Sequence, residues 1–348
     1  MIKAANIEMA HLPADHPHVN TGKIGVLLVN LGTPEATDFW SMRRYLKEFL
    51  WDKRVIEVPR PIWWLILNGI ILNTRPKKSG HAYEQIWNHE ANESPLKTIT
   101  RGQSDKLRAS MSKNPNVMVD WAMRYGFPPI AEKLEAMKNA GCERILLFPL
   151  YPQYSATTTA SVQDKAFDGL KQMRWQPAIR TVPCYHDHPA YIEALSNSLS
   201  GHLKTLDWKP DLILASFHGL PKDYLLKGDP YHCHCLKTAR LMREHLELGD
   251  EDLMTVFQSR FGKDEWLQPY AEETVIQLAK DGVKNLVMIM PGFAADCVET
   301  LEEIAIGLKE TFRANGGEHL SAVPCLNDSN GSIKLLGALV KNELKGWI

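Results

Sequence analysis

Residues 117–150 read VMVDWAMRYGFPPIAEKLEAMKNAGCERILLFPL. An apolar run, Val117–Met123, gives way to a turn holding Gly126, Pro128 and Pro129. AEKLEAMKNAG then follows at helical spacing, and a second apolar run spans Ile145–Leu150. Strands that are apolar without interruption belong to a sheet covered on both faces, and helices between them make the sheet parallel. Outward from this unit, similar runs lie at Ile24–Leu31 and Ile179–Pro183. A second series occupies Leu212–Phe217, Leu253–Gln258, Leu286–Met290 and Leu320–Val323. An internal echo divides the eight into four and four. Arg124-Tyr125-Gly126, helix, and strand ending in Pro149-Leu150 are matched by Arg260-Phe261-Gly262, AEETVIQLAKDG, and a strand ending in Met290-Pro291. The reading is an α/β protein of two similar Rossmann-like domains. Each is a four-stranded parallel sheet flanked by helices, and the two enclose a cleft.

The expected boundaries follow from these runs. Residues 1–22 form a loose N-terminal tail without the apolar core of a signal peptide. Residues 23–186 form the first domain, with an apolar lip at about 40–80, and 187–328 the second. Residues 329–348 form a helix whose stripe Ile333, Leu336, Val340 and Leu344 needs a partner, expected on the first domain. The chain has 348 residues, 44% hydrophobic and 23% charged, in the range of globular proteins. A formal net charge of −1 argues against a polyanion binder, so no nucleic-acid partner is expected. Six cysteines, mostly dispersed, suit a reducing, cytoplasmic setting better than a disulfide framework.

The most apolar stretch, Pro61–Leu72 (PIWWLILNGIIL), is shorter than the ~20 residues that cross a bilayer. A buried helix is the commoner reading. The other is a greasy lip, with Trp63, Trp64 and Leu67 at a membrane interface and Lys77 and Lys78 near anionic head groups.

Parallel sheets bind ligands beyond the carboxyl ends of their strands, so the residues just after each run are the candidates. Asn30–Glu35 holds one glycine and no phosphate-cradling motif. Arg124 and Tyr125 could bind a carboxylate and stack on a flat ligand, or equally form a surface ion pair. Tyr151 and Tyr154 could line a pocket mouth, while Ser155 and Thr157–Thr159 more commonly cap a helix. His218 taken alone reads as a structural histidine; its place at a strand end before Gly219 and Pro221 favours function. Asp296 could cap a helix, and Glu299 points either to solvent or into the cleft. Tyr231-His232-Cys233-His234-Cys235 has metal-ligand types, but no second pair accompanies it, so it reads as structural.

Together these residues resemble the ferrochelatase family from about Ile24 to Asp328. The matching stretches are LLVNLGTPEA (27–36), RYLKEFLWDKRVIE (44–57), SPLKTITRGQ (94–103), MRYGFPP (123–129) and FPLYPQYSATTTAS (148–161). SFHGLPK (216–222), GDPYHC (228–233), FQSRFGKDEWLQP (257–269) and GFAADCVETLEEI (292–304) complete the series. Each is weak alone; all of them in family order are specific. The resemblance implies insertion of Fe²⁺ into protoporphyrin IX with release of two protons, forming protohaem. It makes His218 the catalytic base and Glu299 the facing acid, both meeting the incoming Fe²⁺. It places Arg124, Tyr125, Tyr154, Ser155, Trp266 and Phe293 at the porphyrin.

Imidazole titrates near neutrality, which suits repeated removal of pyrrole protons. A carboxylate opposite can relay them or guide a hard, partly hydrated cation. The resemblance also turns the 61–72 segment toward the lip reading, with peripheral contact at the inner face of the cytoplasmic membrane by a monomer or homodimer. Fe²⁺ is then a substrate and no cofactor is permanently bound. Cys297 stands where some members have a second histidine, which puts a histidine pair in doubt. With Ala156 at a cluster-ligand position and no cysteine-rich C-terminal extension, no [2Fe–2S] cluster is expected. The competing readings are a chelatase for coproporphyrin or another metal, a porphyrin carrier without catalysis, and a metalloprotein built on Cys233 and Cys235.

Overall fold

The computed structural model describes residues 20–348. Residues 1–19, most of the expected tail, lie outside the described residues. The first sheet comprises β1 (Lys23–Gly32), β2 (Val117–Tyr125), β3 (Cys142–Pro149) and β4 (Ala178–Thr181) in the order β2-β1-β3-β4. The second comprises β5 (Leu212–His218), β6 (Leu253–Gln258), β7 (Asn285–Ile289) and β8 (His319–Ala322) in the order β6-β5-β7-β8. Every strand pairing is parallel. This is the two-sheet α/β architecture expected from the apolar runs.

Why those runs lack alternation is visible in β1. Ile24, Val26 and Leu28 enter one core cluster, whereas Leu27 and Val29 enter another on the opposite face. Side chains alternate across the sheet with period two, but both faces are buried, so every position must be apolar. β5 behaves alike: Ile213, Ala215 and Phe217 face one core and Leu214 the other. The first of these cores draws residues from both sheets, so the halves share a continuous apolar seam.

The helices are α1 (Phe39–Leu50), α2 (Arg60–Ile66), α3 (Leu72–Glu84), α4 (Pro95–Ser110), α5 (Ile130–Asn139) and α6 (Ser161–Lys171). They continue with α7 (Pro189–Leu203), α8 (Lys222–Leu226), α9 (Tyr231–His245), α10 (Ala271–Lys280), α11 (Lys309–Ala314) and α12 (Asn330–Glu343). Wider π-helical turns occupy Leu67–Ile71, Ala156–Ala160 and Glu299–Leu308. The last helix, α12, packs on α4 and α7, burying Leu336, Val340 and Leu344 in the shared core. Gln103 of α4 also crosses the seam, donating to the carbonyls of Ala294 and Asn327 at 3.0 and 2.8 Å.

The lip is α1, α2, α3 and the turn between the last two. Asp38 starts α1 by accepting from the N–H groups of Trp40 and Ser41. Here the sequence expectation needs correction. Trp63 is 7% exposed and Leu67 fully buried; both face inward, beside Met42, Tyr45 and Leu46. They are one helical turn apart and so share a face, and the Trp63 indole N–H donates to the Leu50 carbonyl at 2.7 Å. The outward face is Ile62, Trp64, Leu65 and Ile70, with Trp64 55% and Leu65 63% exposed. No helix among the described residues is long and apolar enough to cross a membrane.

Candidate active site

His218 closes β5, where its backbone pairs with Gln258 of β6. Its Nδ1 lies 2.6 Å from the Gly219 carbonyl oxygen. A carbonyl only accepts, so Nδ1 carries a proton, and in the neutral imidazole Nε2 is the nitrogen with the lone pair. The His218 carbonyl accepts from the Tyr231 hydroxyl at 3.0 Å. Gly219 allows the tight turn that follows: a Cβ there would stand 2.8 Å from the Gln258 carbonyl oxygen and 3.1 Å from the Trp266 ring.

The neighbouring acid is reached through Gln258. Ser216 donates to the Gln258 amide oxygen at 2.7 Å, and the Gln258 NH₂ donates to the Glu299 carbonyl at 2.9 Å and to the Glu303 carboxylate at 3.3 Å. Glu303 also accepts from the N–H and hydroxyl of Ser259. Burial pushes the Glu303 carboxyl above its ordinary value; the charge of His218 pulls it down and that of Glu299 pushes it up. His218, Glu299 and Glu303 are therefore one electrostatic group. Glu303 did not stand out in the sequence. Its only signal is the four-residue step from Glu299, which the π-helical segment Glu299–Leu308 turns into a shared neighbourhood.

Two tyrosines of the lip feel the charge of Glu299. Burial, with the Glu299 charge adding to it, pushes the phenols of Tyr45 and Tyr83 well up, so both stay protonated near that carboxylate. Val298 joins the lip's apolar cluster. Below lies a small cluster drawn from both halves: Leu31, Leu96 and Ile99 with Phe293, Ala295 and Cys297. Burial likewise pushes the Cys297 thiol well up, so it sits there as a neutral apolar group.

Other expected ligand-facing residues are held differently. Arg124 donates to Ser161 and forms a buried ion pair with Asp52; the Tyr125 hydroxyl donates to the same carboxylate at 2.8 Å. Tyr125 is fully buried against Phe49 of the lip. These two residues tie the lip to the first sheet, with Tyr125 fully buried and the Arg124 side chain 11% exposed. The surface ion pair is equally corrected, because the pair is internal.

Ser155 is fully buried: it accepts from the Thr157 N–H and donates to Asp229 at 2.9 Å, which makes it a cap. Trp266 is 4% exposed and packs behind the His218 loop, edge-on to Phe261. Tyr154 and Phe293 remain partly exposed. Asp296 accepts from Thr300, the Cys325 N–H and Asn327, binding the loop after β7 to the loop after β8. Cys233 is exposed and Cys235 buried on α9, so their thiols do not converge.

Comparison with known proteins adds to this geometry. The family model described as Ferrochelatase matches residues 23–344. The ferrochelatase of Allorhizobium ampelinum is 61% identical over 97% of this chain and 98% of its own length. That of Agrobacterium fabrum is 59% identical over 98% and 99%, respectively. Among solved structures, SirB from Bacillus subtilis with Fe³⁺ superposes with TM-score 0.56 at 10% identity, covering 92% of this chain and 96% of that one. The sirohydrochlorin chelatase SirB from Bacillus subtilis subspecies spizizenii, with cobalt, gives 0.51 at 11% identity, covering 93% and 94%. At such identities the likeness is one of fold.

Proposed function

The chain belongs to the ferrochelatase family and inserts ferrous iron into a porphyrin; from that premise we propose that protoporphyrin IX is the porphyrin and His218 the base. The observation that carries the assignment is the 2.6 Å contact of His218 Nδ1 with the Gly219 carbonyl, which leaves Nε2 as the free lone pair. A macrocycle must lose two pyrrole protons before a divalent ion can sit. Nε2 takes a pyrrole proton, and the carboxylates of Glu299 and Glu303, which share its electrostatic environment, carry protons away and compensate the incoming positive charge. The neutral phenols of Tyr45 and Tyr83 and the thiol of Cys297 border this group without adding charge. Because Cys297 is no imidazole, His218 acts without a histidine partner. Fe²⁺ is consumed as substrate.

Two features favour protoporphyrin over the more heavily carboxylated coproporphyrin. The lip's outward face is apolar, and Arg43 and Arg124 are occupied by the Leu72 carbonyl and by Asp52. Purified protein assayed with Fe²⁺, Co²⁺ and Zn²⁺ on both porphyrins is expected to show kcat/KM at least roughly tenfold higher for protoporphyrin, equivalent to about 1.4 kcal/mol of transition-state preference. Parity, or the reverse preference, overturns this substrate assignment.

Ile62, Trp64, Leu65 and Ile70 are proposed as the face that rests on the inner leaflet of the cytoplasmic membrane. Changing Trp64→Glu and Leu65→Glu together is expected to weaken co-sedimentation with anionic vesicles by roughly tenfold or more. Unchanged sedimentation removes the membrane role.

A further inference from the structure

The seam between the halves holds a second set of metal-ligating side chains. Cys184 and His186 lie in the connection between β4 and α7, and His234 lies on α9. Their ligand atoms are all within 4.8 Å of one another. The rings of His186 and His234 stack with centroids 3.7 Å apart and planes 9° from parallel. Stacked imidazoles beside a thiol do not satisfy one another's lone pairs. The side chain of His186 is 9% exposed, and its buried Nδ1 has no hydrogen-bond partner among the described residues. Its Nε2 lies 3.9 Å from the Asp187 carboxylate, which is itself held by Lys237. His234 keeps its Nδ1 lone pair, into which the Tyr154 N–H donates at 3.2 Å.

We propose that Cys184, His186 and His234 form a binding site for a divalent transition ion of the Zn²⁺ class, separate from the group at His218. One thiolate and two imidazoles suit a tetrahedral ion with a fourth position open to solvent, whose ligand atoms stand about 3.4–3.6 Å apart. The three side chains, with ligand atoms within 4.8 Å of one another, reach that spacing by closing by up to about 1.4 Å. Each imidazole binds through a neutral nitrogen lone pair, and the Cys184 thiol gives its proton to solvent as the metal–sulfur bond forms.

The site has a route to the cleft. A metal ion taking the His234 Nδ1 lone pair replaces the bond from the Tyr154 N–H. On the same helix, Tyr231 holds the His218 carbonyl. The Thr238 hydroxyl lies between the His186 carbonyl, the Gln153 amide and the His234 carbonyl, so the site rests on elements of both halves.

The test uses the full chain free of porphyrin, stripped with a chelator, in a His218→Ala background that silences the substrate-metal site. Titration with Co²⁺ is expected to saturate at one equivalent, with a thiolate-to-Co²⁺ charge-transfer band and the visible bands of tetrahedral cobalt, both displaced by Zn²⁺. Cys184→Ser should abolish the charge-transfer band, and His186→Asn or His234→Asn should weaken binding at least tenfold. Cys233→Ser, which removes the exposed thiol nearby, should leave the spectrum unchanged. Circular dichroism identifies any variant that fails to fold, and the two histidine variants provide independent readings. A band that survives in Cys184→Ser, a band lost in Cys233→Ser, or no stoichiometric Co²⁺ binding overturns the proposal.

Discussion

Replacing His218 by alanine is expected to lower kcat for iron insertion by roughly 10²–10⁴-fold, the range in which a positioned acid–base group contributes. Porphyrin affinity should stay within a few-fold. The reason lies in how the side chain is held. Its Nδ1 proton is committed to the Gly219 carbonyl and its own carbonyl to Tyr231, so Nε2 is the atom left to work in the cleft. The surrounding contacts, Trp266 on Gly219 and Ser216 on Gln258, do not involve the imidazole and should persist in the variant. Stopped-flow insertion rates measure the first quantity and porphyrin fluorescence the second. A variant within tenfold of wild-type turnover would sink the assignment of His218 as base; lost porphyrin binding would make it a pocket-wall residue. The companion change Glu303→Gln separates relay from base. Burial raises the Glu303 carboxyl, so in the wild type the form able to accept a proton grows as pH rises through a value above the ordinary carboxylate range. The glutamine variant should lose that limb of the kcat/KM–pH profile.

The second large effect concerns stability. Asp52→Ala should destabilise the protein by about 3–5 kcal/mol, because Arg124 is left as a buried charge without its partner. For a chain of this size the midpoint of thermal unfolding should fall by on the order of 10 °C. Asp52 also accepts hydrogen bonds from Ser161, Tyr125 and the Arg54 N–H, so the substitution frees several donors and unhooks the lip from the first sheet. The pH dependence has a definite sign. Burial alone would raise the Asp52 carboxyl, but hydrogen bonds from Ser161, Arg54 and Tyr125 and the Arg124 charge outweigh it, and the folded value is lowered. Its contribution is therefore fully present above the ordinary carboxylate value and is lost as pH falls through the lowered one. The gap between wild type and variant should narrow in acid. A double change, Asp52→Ala with Arg124→Met, should recover much of the loss, since an apolar pair leaves no orphaned charge. Equal midpoints for wild type and Asp52→Ala at pH 7 would show that the ion pair does not anchor the lip.

These two sites differ in how far the chain betrays them. His218 was readable because a strand end in a parallel sheet is where ligands sit, and the strand was plain from its unbroken apolar run. The position of Glu299 after β7 left it between solvent and cleft, and only the family resemblance singled it out as the facing acid. Glu303 was not readable: within ETLEEIAIGL, a glutamate one turn further on looks like a solvated position. Only the π-helical path and the neighbouring Ser259 bring it within reach of the His218 charge. Arg124 was noticed, but its partner lies 72 residues earlier, and no local pattern joins them.

The lip shows the same limit from the apolar side. PIWWLILNGIIL is apolar on every face, so it carries no stripe to say which tryptophan turns inward. Trp63 and Leu67 went to the core only because Met42, Tyr45 and Leu46 of α1 offered them a surface there.

The eight strands, their division into four and four, the parallel sense of the sheets and the strand-end position of His218 follow from the chain alone, because burial on both faces writes a local, continuous signal. The family follows as well, from motifs whose order a single chain carries. Tertiary structure alone decided which polar groups meet: Asp52 with Arg124, Glu303 with Gln258 and Ser259, and His186 with His234 and Cys184. Those meetings depend on long-range packing of two sheets across one seam, where distance in sequence says nothing about distance in space.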